Sequence, residues 1–306
     1  MKKMYANLHL HSTHSDGVFS PTEMVRMAKY EGYRALAITD HDTVTAYPEL
    51  KAACEKEEMD CIFGAEFTGP SDKYHKIFHI VGFGFDPEYP PLKEYLRQLS
   101  ATETHQTEVI FRAAVEKGQI TGITWEEVLE YNKSITWLCN NHVFRAMQNK
   151  GLVKESDYMS FFDAVYRDER AKVPQLYPWK DVTEIIQLIL DAGGIPIFAH
   201  PIDPLFNFDE SIHLEILDYI REAGIKGIEV YHAHQKGEFR DKIEAYAIKH
   251  NLIISGGSDH SGICGGYLPS CPDEMDITEF RQYAPLLYSG VTKEQYEFLK
   301  SKCKVK

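Results

Sequence analysis

The chain has little with which to grip a long polyanion. Its 306 residues carry 33 lysines and arginines against 46 aspartates and glutamates, a formal charge of −13, with no basic run. Affinity for a nucleic-acid backbone comes from Lys and Arg, so duplex DNA is not an expected partner and a small phosphorylated substrate fits better. Long apolar runs are also missing: none approaches the roughly 18 residues that would span a membrane, so no membrane association is expected. Met1-Lys2-Lys3-Met4-Tyr5 leads directly into a strand pattern. It has neither the apolar stretch nor the small-residue cleavage site of a secretory signal, and the expected location is the cytoplasm. Cysteine is sparse. Cys54, Cys61, Cys139, Cys264, Cys271 and Cys303 form no C-x-x-C pair, which argues against a thiolate zinc site and suits free thiols in a reducing compartment.

What the chain does have is histidine and carboxylate at the ends of short apolar runs. Seven such runs lead to Asn7-Leu8-His9-Leu10-His11, Thr39-Asp40-His41, Glu66, His79, Ala199-His200, Tyr231-His232-Ala233-His234 and Ser258-Asp259-His260. Helical patterns separate most of them. The cleanest starts at Ser20-Pro21-Thr22-Glu23, with Ser at N-cap, Pro at N1 and Glu at N3. Strands alternating with helices argue for a parallel sheet with crossover helices. Between about Asp86 and Lys180 the alternation stops, and the stretch reads as helices only. Pro87, Pro90 and Pro91 mark its entry, and Pro174 and Pro178 its exit. We therefore expect an α/β barrel formed by residues 1–85 and 181–306, with a helical insertion at 86–180 capping the active site. Active sites of β/α barrels lie at the C-terminal strand ends, and clustered imidazole and carboxylate suit divalent transition metals. The residues alone point to a metal-dependent hydrolase.

His9 and His11 stand two apart on a strand, so both side chains point the same way and can reach one metal. Asp16, on the following loop, can reach a neighbouring one. The longer string His9-Leu10-His11…Ser15-Asp16-Gly17, followed by Thr39-Asp40-His41-Asp42, resembles the opening of the PHP (polymerase and histidinol phosphatase) family of phosphoesterases. The likeness continues through Gly64-Ala65-Glu66, His79-Ile80-Val81-Gly82, Ala199-His200-Pro201, Gly227-Ile228-Glu229-Val230-Tyr231 and Ser255-Gly256-Gly257-Ser258-Asp259. Asn141-His142-Val143-Phe144-Arg145-Ala146 resembles a segment of the subgroup that holds nucleoside bisphosphate phosphatases and TrpH-like exoribonucleases.

The resemblance implies a distorted seven-stranded (β/α) barrel with two or three divalent ions (Mn, Fe or Zn) and a metal-bridging hydroxide that attacks a phosphate ester. It implies that His9, His11, Glu66 and Asp259 hold a first ion and that Glu66, His79 and His200 hold a second, with Glu66 bridging. Asp16 and His41 would hold a third, with Asp16 also serving in catalysis. Two features depart from the family pattern. Strand seven often ends S-D-x-H there, whereas this chain has Ser258-Asp259-His260-Ser261. His260, shifted by one position, is kept as a candidate ligand of the third site. The insertion arginines that grip a distal phosphate in the subgroup are replaced: Asn140 precedes His142, and Ala101–Gln106 offers only His105. His234 resembles a rim position facing substrate and is the candidate general acid. His142 and Arg145 are candidate phosphate binders.

The expected activity is hydrolysis of a small phosphorylated metabolite, a nucleotide or sugar phosphate. The alternatives are 5′-3′ trimming of RNA and a metal-binding but non-catalytic PHP domain. An amidohydrolase would carry a bridging lysine, and no lysine ends a strand run here.

Overall fold

The structure, a computed structural model, describes residues 4–154, 157–167, 170, 172–173, 177–201, 210–232, 235, 237–260 and 289–305. Among the described residues, eight strands form two sheets. β1 (Ala6–Asn7), β2 (Ala35–Leu36) and β3 (Asp60–Cys61) make a short parallel sheet. β4 (Gly64–Ser71), β5 (Lys76–Phe83), β6 (Ile195–Phe198), β7 (Gly227–His232) and β8 (Ile253–Gly257) make the second. The third apolar run thus splits into β3 and β4. The all-parallel expectation also fails at one place: β4 and β5 form an antiparallel hairpin, and β5 pairs antiparallel with β6. Only four residues separate β4 from β5, too few for the crossover that a parallel pair needs.

No closed sheet is found among the described residues, but backbone bonds tie the two sheets at both edges. Leu8 N–H donates to the Gly256 carbonyl at 3.1 Å and Asp259 N–H to His9 at 2.9 Å. On the other side Glu66 N–H reaches Thr39 at 3.2 Å and Asp42 N–H reaches Glu66 at 2.8 Å. Residues two apart on successive strands, Ala6 and Leu8, Ala35 and Ala37, Val81 and Phe83, Ile195 and Ile197, share one interior cluster. That is the period-two signature of strands turning one face inward. Val291, which bridges to Ala6, and Tyr296 and Leu299 from the helix over Lys293–Lys302 close this cluster.

The helices follow their sequence signals. Helix α1 (Pro21–Tyr30) begins with the capping box: Ser20 Oγ accepts from Glu23 N–H at 3.2 Å, and Glu23 Oε2 accepts from Ser20 N–H at 2.7 Å. α2 covers Tyr47–Glu57. Next come only helices: α3 (Pro90–Glu116), α4 (Trp125–Tyr131), α5 (Asn140–Asn149), α6 (Tyr158–Phe161) and a π-helical turn over Phe162–Arg167. Val25, Phe111, Val128, Phe144 and Phe161 lie in one apolar cluster, so α3 to α6 pack directly on the α1–α2 side of the sheets. α7 (Val182–Asp191), α8 (Glu210–Glu222), α9 (Gly237–Lys249) and α10 (Lys293–Lys302) follow among the described residues. No helix is long and apolar enough to cross a membrane, among the described residues.

Candidate metal centre

The site is built around one carboxylate. Glu66, on β4, is fully buried, and five imidazoles face its two oxygens. His9 Nε2, His79 Nδ1 and His200 Nε2 lie 3.2, 3.2 and 3.0 Å from Oε1. His11 Nε2 and His41 Nδ1 lie 3.3 and 3.2 Å from Oε2. Asp259 enters from the end of β8, with Oδ1 2.9 Å from His11 Nε2 and 3.5 Å from His9 Nε2. Asp16 stands at the open rim, 3.5 Å from His11 Nδ1 and 3.9 Å from His41 Nε2. Three groups of donor atoms are close enough to share an ion: His9, His11, Glu66 and Asp259; His41, Glu66 and His79; and His11, Asp16 and His41.

These residues fit a divalent cation for a reason internal to the protein. His9 Nε2, both nitrogens of His11 and Glu66 Oε2 are buried with no directed hydrogen bond. Leaving such atoms unpaired costs about 1–3 kcal/mol each, so their common orientation into one space calls for a partner. Electrostatics agree. Burial works against a charge on His9 and on His11, yet the facing carboxylates raise both pKa values well above the ordinary imidazole range. Burial likewise works against charge on Glu66 and Asp259, and the imidazoles hold both well below the usual carboxylate range.

An outer frame fixes these side chains. Glu229, on β7, takes His9 Nδ1 at 3.1 and 3.3 Å and the backbone N–H of His200 at 2.8 Å. A carboxylate can only accept, so Nδ1 of His9 carries a proton, and the neutral ring that holds a metal would present its Nε2 lone pair to the cluster. His232, also on β7, comes within 3.6 Å of Asp259 Oδ2. Residues 229 and 232 are an odd number apart and would face opposite sides of a regular strand. A register shift between Glu229 and Tyr231 lets both face the site, the re-aiming that a β-bulge performs. His200 (φ 24°) and Asp259 (φ 52°) both sit in the left-handed region, where non-glycine residues are strained and active sites are over-represented. Asp40 anchors the first loop, accepting from Ser12 N–H at 2.6 Å, Ser12 Oγ at 2.7 Å and Ser15 Oγ at 2.6 Å.

A cleft of about 350 Å³ opens from the rim, between Asp16, His41 and His79 on one side and Trp137, Arg170 and Trp179 on the other. With this arrangement in view, likeness to known proteins can be read. A family model described as PHP domain matches residues 7–194. The chain belongs to the PHP family. A 5′-3′ exoribonuclease of Haemophilus influenzae is 30% identical over 269 residues, covering 87% of this chain and 92% of that protein. A 3′,5′-nucleoside bisphosphate phosphatase of Chromobacterium violaceum is 26% identical, with 83% and 86% covered. A solved structure from Bifidobacterium adolescentis, described as a candidate metal-dependent phosphoesterase, shares the fold with TM-score 0.73 at 24% identity, covering 98% of this chain and 96% of that one. As a PHP member the protein is a phosphoric ester hydrolase, in line with the sequence reading.

The structure gives several expected site residues other tasks. The ring of His142 is buried and fully used. Its Nδ1 accepts from Cys139 N–H at 2.9 Å, so Nε2 carries the proton and donates to the Thr13 carbonyl at 2.9 Å. No nitrogen is left for a phosphate. Arg145 reaches back to the Val18 carbonyl. Both residues brace the loop that bears Asp16 rather than line the cleft. His260 belongs to none of the three donor groups. Its ring is buried and stacked on Phe19, with centroids 6.1 Å apart, and burial pushes its pKa down to about 4. The one-residue shift turns its side chain away from the cluster, while its carbonyl accepts from His11 N–H at 3.0 Å. His234 lies outside the described residues. The sequence reading assigned no role to Glu229 and passed over Asp40. A carboxylate set between Ile228 and Val230 in a buried strand was the available signal for Glu229.

Proposed function

We propose that this PHP protein hydrolyses a phosphate ester of a small metabolite, a nucleotide or sugar phosphate, at a centre of two or three divalent ions inside a distorted seven-stranded barrel. One observation carries the reading: a fully buried Glu66 faces five imidazoles with both oxygens, beside buried nitrogen atoms that lack directed partners. His9, His11, Glu66 and Asp259 would hold one ion, Glu66, His79 and His200 a second, and Asp16 and His41 a third. His41 also lies beside Glu66 and His79 and can be shared with that pair. Divalent metal at such a centre supplies charge to the phosphoryl oxygens and lowers the pKa of water.

The chain's own residues do the rest. Glu66 places negative charge between the imidazoles and keeps them from dispersing. Glu229 holds His9 in the tautomer that presents Nε2. Asp16, more exposed than the others, stands where the substrate phosphate meets the rim, and His234 remains our candidate for protonating the leaving oxygen. The helical stretch 86–180 supplies the far wall of the cleft and would select the substrate.

A second reading, trimming of RNA from its 5′ end, is favoured by the exoribonuclease relative. Against it stands the cleft itself, whose described lining holds one cationic side chain outside the histidines, Arg170, already facing Glu103 at 3.6 Å. The test is hydrolysis by protein loaded with Mn, Fe or Zn, read as phosphate released from a nucleoside monophosphate, a sugar phosphate and a nucleoside bisphosphate, and as nucleoside 5′-monophosphates released from a short 5′-phosphorylated RNA. Chelator-sensitive release from a small ester supports the first reading. Release from RNA alone supports the second, and no release from metal-loaded protein overturns both.

A further inference from the structure

The far wall of the cleft has a chemistry that the metal centre does not use. Tyr177 and Trp179 stack face to face, with ring centroids 4.4 Å apart and planes within 4°. Both line the cleft, as does Trp137, whose ring centroid lies 6.4 Å from that of His41. Trp137 is held in place from both sides. Thr104 Oγ1 donates to the Thr136 carbonyl at 2.9 Å and accepts from Leu138 N–H at 3.1 Å. A half-buried indole pinned at both flanking peptides is a preorganised surface, not a loose loop side chain.

Charge at this wall is spent internally. Glu103 is buried. It lies 3.6 Å from Arg170 and accepts the Tyr177 hydroxyl. Arg170 also contacts the hydroxyls of Tyr166 and Tyr177. The one guanidinium of the lining among the described residues is thus matched by a buried carboxylate. A second phosphate placed here would have to pull Arg170 from Glu103 and leave that carboxylate buried without its counter-charge, which is a costly exchange. A flat uncharged ring would instead stack on indole and phenol faces, a contact that tolerates any base because each has a π-face.

We infer that the outer half of the cleft is a subsite for an uncharged aromatic ring, a nucleobase, on a substrate carrying one phosphate, and that it selects against a second phosphate. This rests on the proposed function only for the phosphate end.

The probe is tryptophan fluorescence of metal-loaded protein. Of the three tryptophans, Trp125 is buried in the core and Trp137 and Trp179 line the cleft, so a stacked base quenches the latter two. Adenosine 5′-monophosphate should bind on the order of tenfold tighter than ribose 5-phosphate, and adenosine 3′,5′-bisphosphate no tighter than the monophosphate. Trp179→Ala and Tyr177→Ala should close the gap between nucleotide and ribose phosphate, and Trp179→Phe should keep part of it. Glu103→Gln should raise affinity for the bisphosphate relative to the monophosphate by freeing the guanidinium. Equal binding of nucleotide and ribose phosphate, or a bisphosphate tenfold tighter than the monophosphate in the unaltered protein, overturns the inference. Adenosine without phosphate separates the two readings. If it quenches while ribose 5-phosphate fails to bind, the ring subsite stands and the proposed small phosphate ester as substrate of this site falls.

Discussion

Replacing Glu229 by Gln tests the outer frame more sharply than removing it. The native carboxylate accepts two donors, His9 Nδ1–H and the His200 peptide N–H. An amide has one acceptor oxygen. If that oxygen stays with His200, the amide NH2 faces His9 Nδ1 and must donate to it. The His9 proton then moves to Nε2, the nitrogen 3.2 Å from Glu66 and 3.5 Å from Asp259, and its lone pair is lost to a metal. If the amide turns over, its NH2 meets the His200 N–H, donor against donor, at a residue already in the left-handed region. Loss of an outer partner to a ligating histidine typically costs 10–100-fold in metal affinity, or about 1.4–2.8 kcal/mol. The glutamine both removes charge and enforces the wrong tautomer, so we expect the upper half of that range, and Glu229→Ala no worse than Glu229→Gln. The assay is competitive titration of the stripped protein with Mn or Zn, with melting of the metal-free protein to check folding. A glutamine variant that binds metal with unaltered affinity, or an alanine variant much weaker than the glutamine one, refutes the tautomer argument.

Three further outcomes are expected. Glu66→Gln should lose bound metal and turnover together by more than about a hundredfold, since a ligand matters more than its outer partners; metal analysis beside phosphate release checks this. Gly257→Ala should destabilise the protein by about 1–3 kcal/mol and weaken metal binding, because an added Cβ would lie 2.3 Å from His9 Cβ and N; denaturant midpoints and metal titration read it. His142 gives a pH signature: burial above all holds its pKa down to about 4, against about 6.5 unfolded. The unfolded chain therefore takes up a proton that the native one refuses, and stability falls as pH drops from about 6.5 towards 4. Between pH 7 and 5 this amounts to on the order of 2 kcal/mol. His142→Gln should remove that share of the decline, and an unchanged pH dependence would sink the assignment.

Much of the site could be read from the sequence because most of its donors end apolar runs, His79 lying inside one and Asp16 on the loop after His11. His9 and His11, two apart just beyond β1, read as sharing one face, and the structure brings both to Glu66. His41, His79, His200 and Asp259 arrive from other strands at the same point, as the common ending of the runs suggested. What the sequence hid has definite causes. The β4–β5 hairpin was hidden because a continuous apolar run reads alike in parallel and antiparallel strands. His232 was obscured because a bulge, invisible to periodicity, brings an odd-spaced residue to the same face as Glu229. His260 misled because it lies beyond the end of β8 and follows Asp259 in the left-handed region, so family spacing could not be carried across it. The aromatic wall was passed over because Tyr177-Pro178-Trp179 reads as packing until the cleft beside it is seen.

The change of role for His142 and Arg145 alters how the helical stretch relates to catalysis. Both look like anion binders by residue type, yet one ties α5 to the Thr13 carbonyl and the other to Val18. Asn141 adds a bond from its amide to the Asp16 carbonyl at 2.6 Å. Three side chains of one helix thus grip the loop that bears Asp16, while Asp40 holds the same loop from the sheet side through Ser12 and Ser15. Asp16 is the most exposed member of the donor set, so its position depends least on burial and most on the backbone beneath it. The stretch that lines the cleft is therefore also the clamp that sets the rim, and the cleft wall and the rim geometry are mechanically joined. Weakening α5 by Asn141→Ala should then disturb the third donor group, His11, Asp16 and His41, before the first. That appears as loss of the weakest-bound ion with the others retained, whereas uniform loss of all bound metal would mean that the helix supports the fold at large and not this loop.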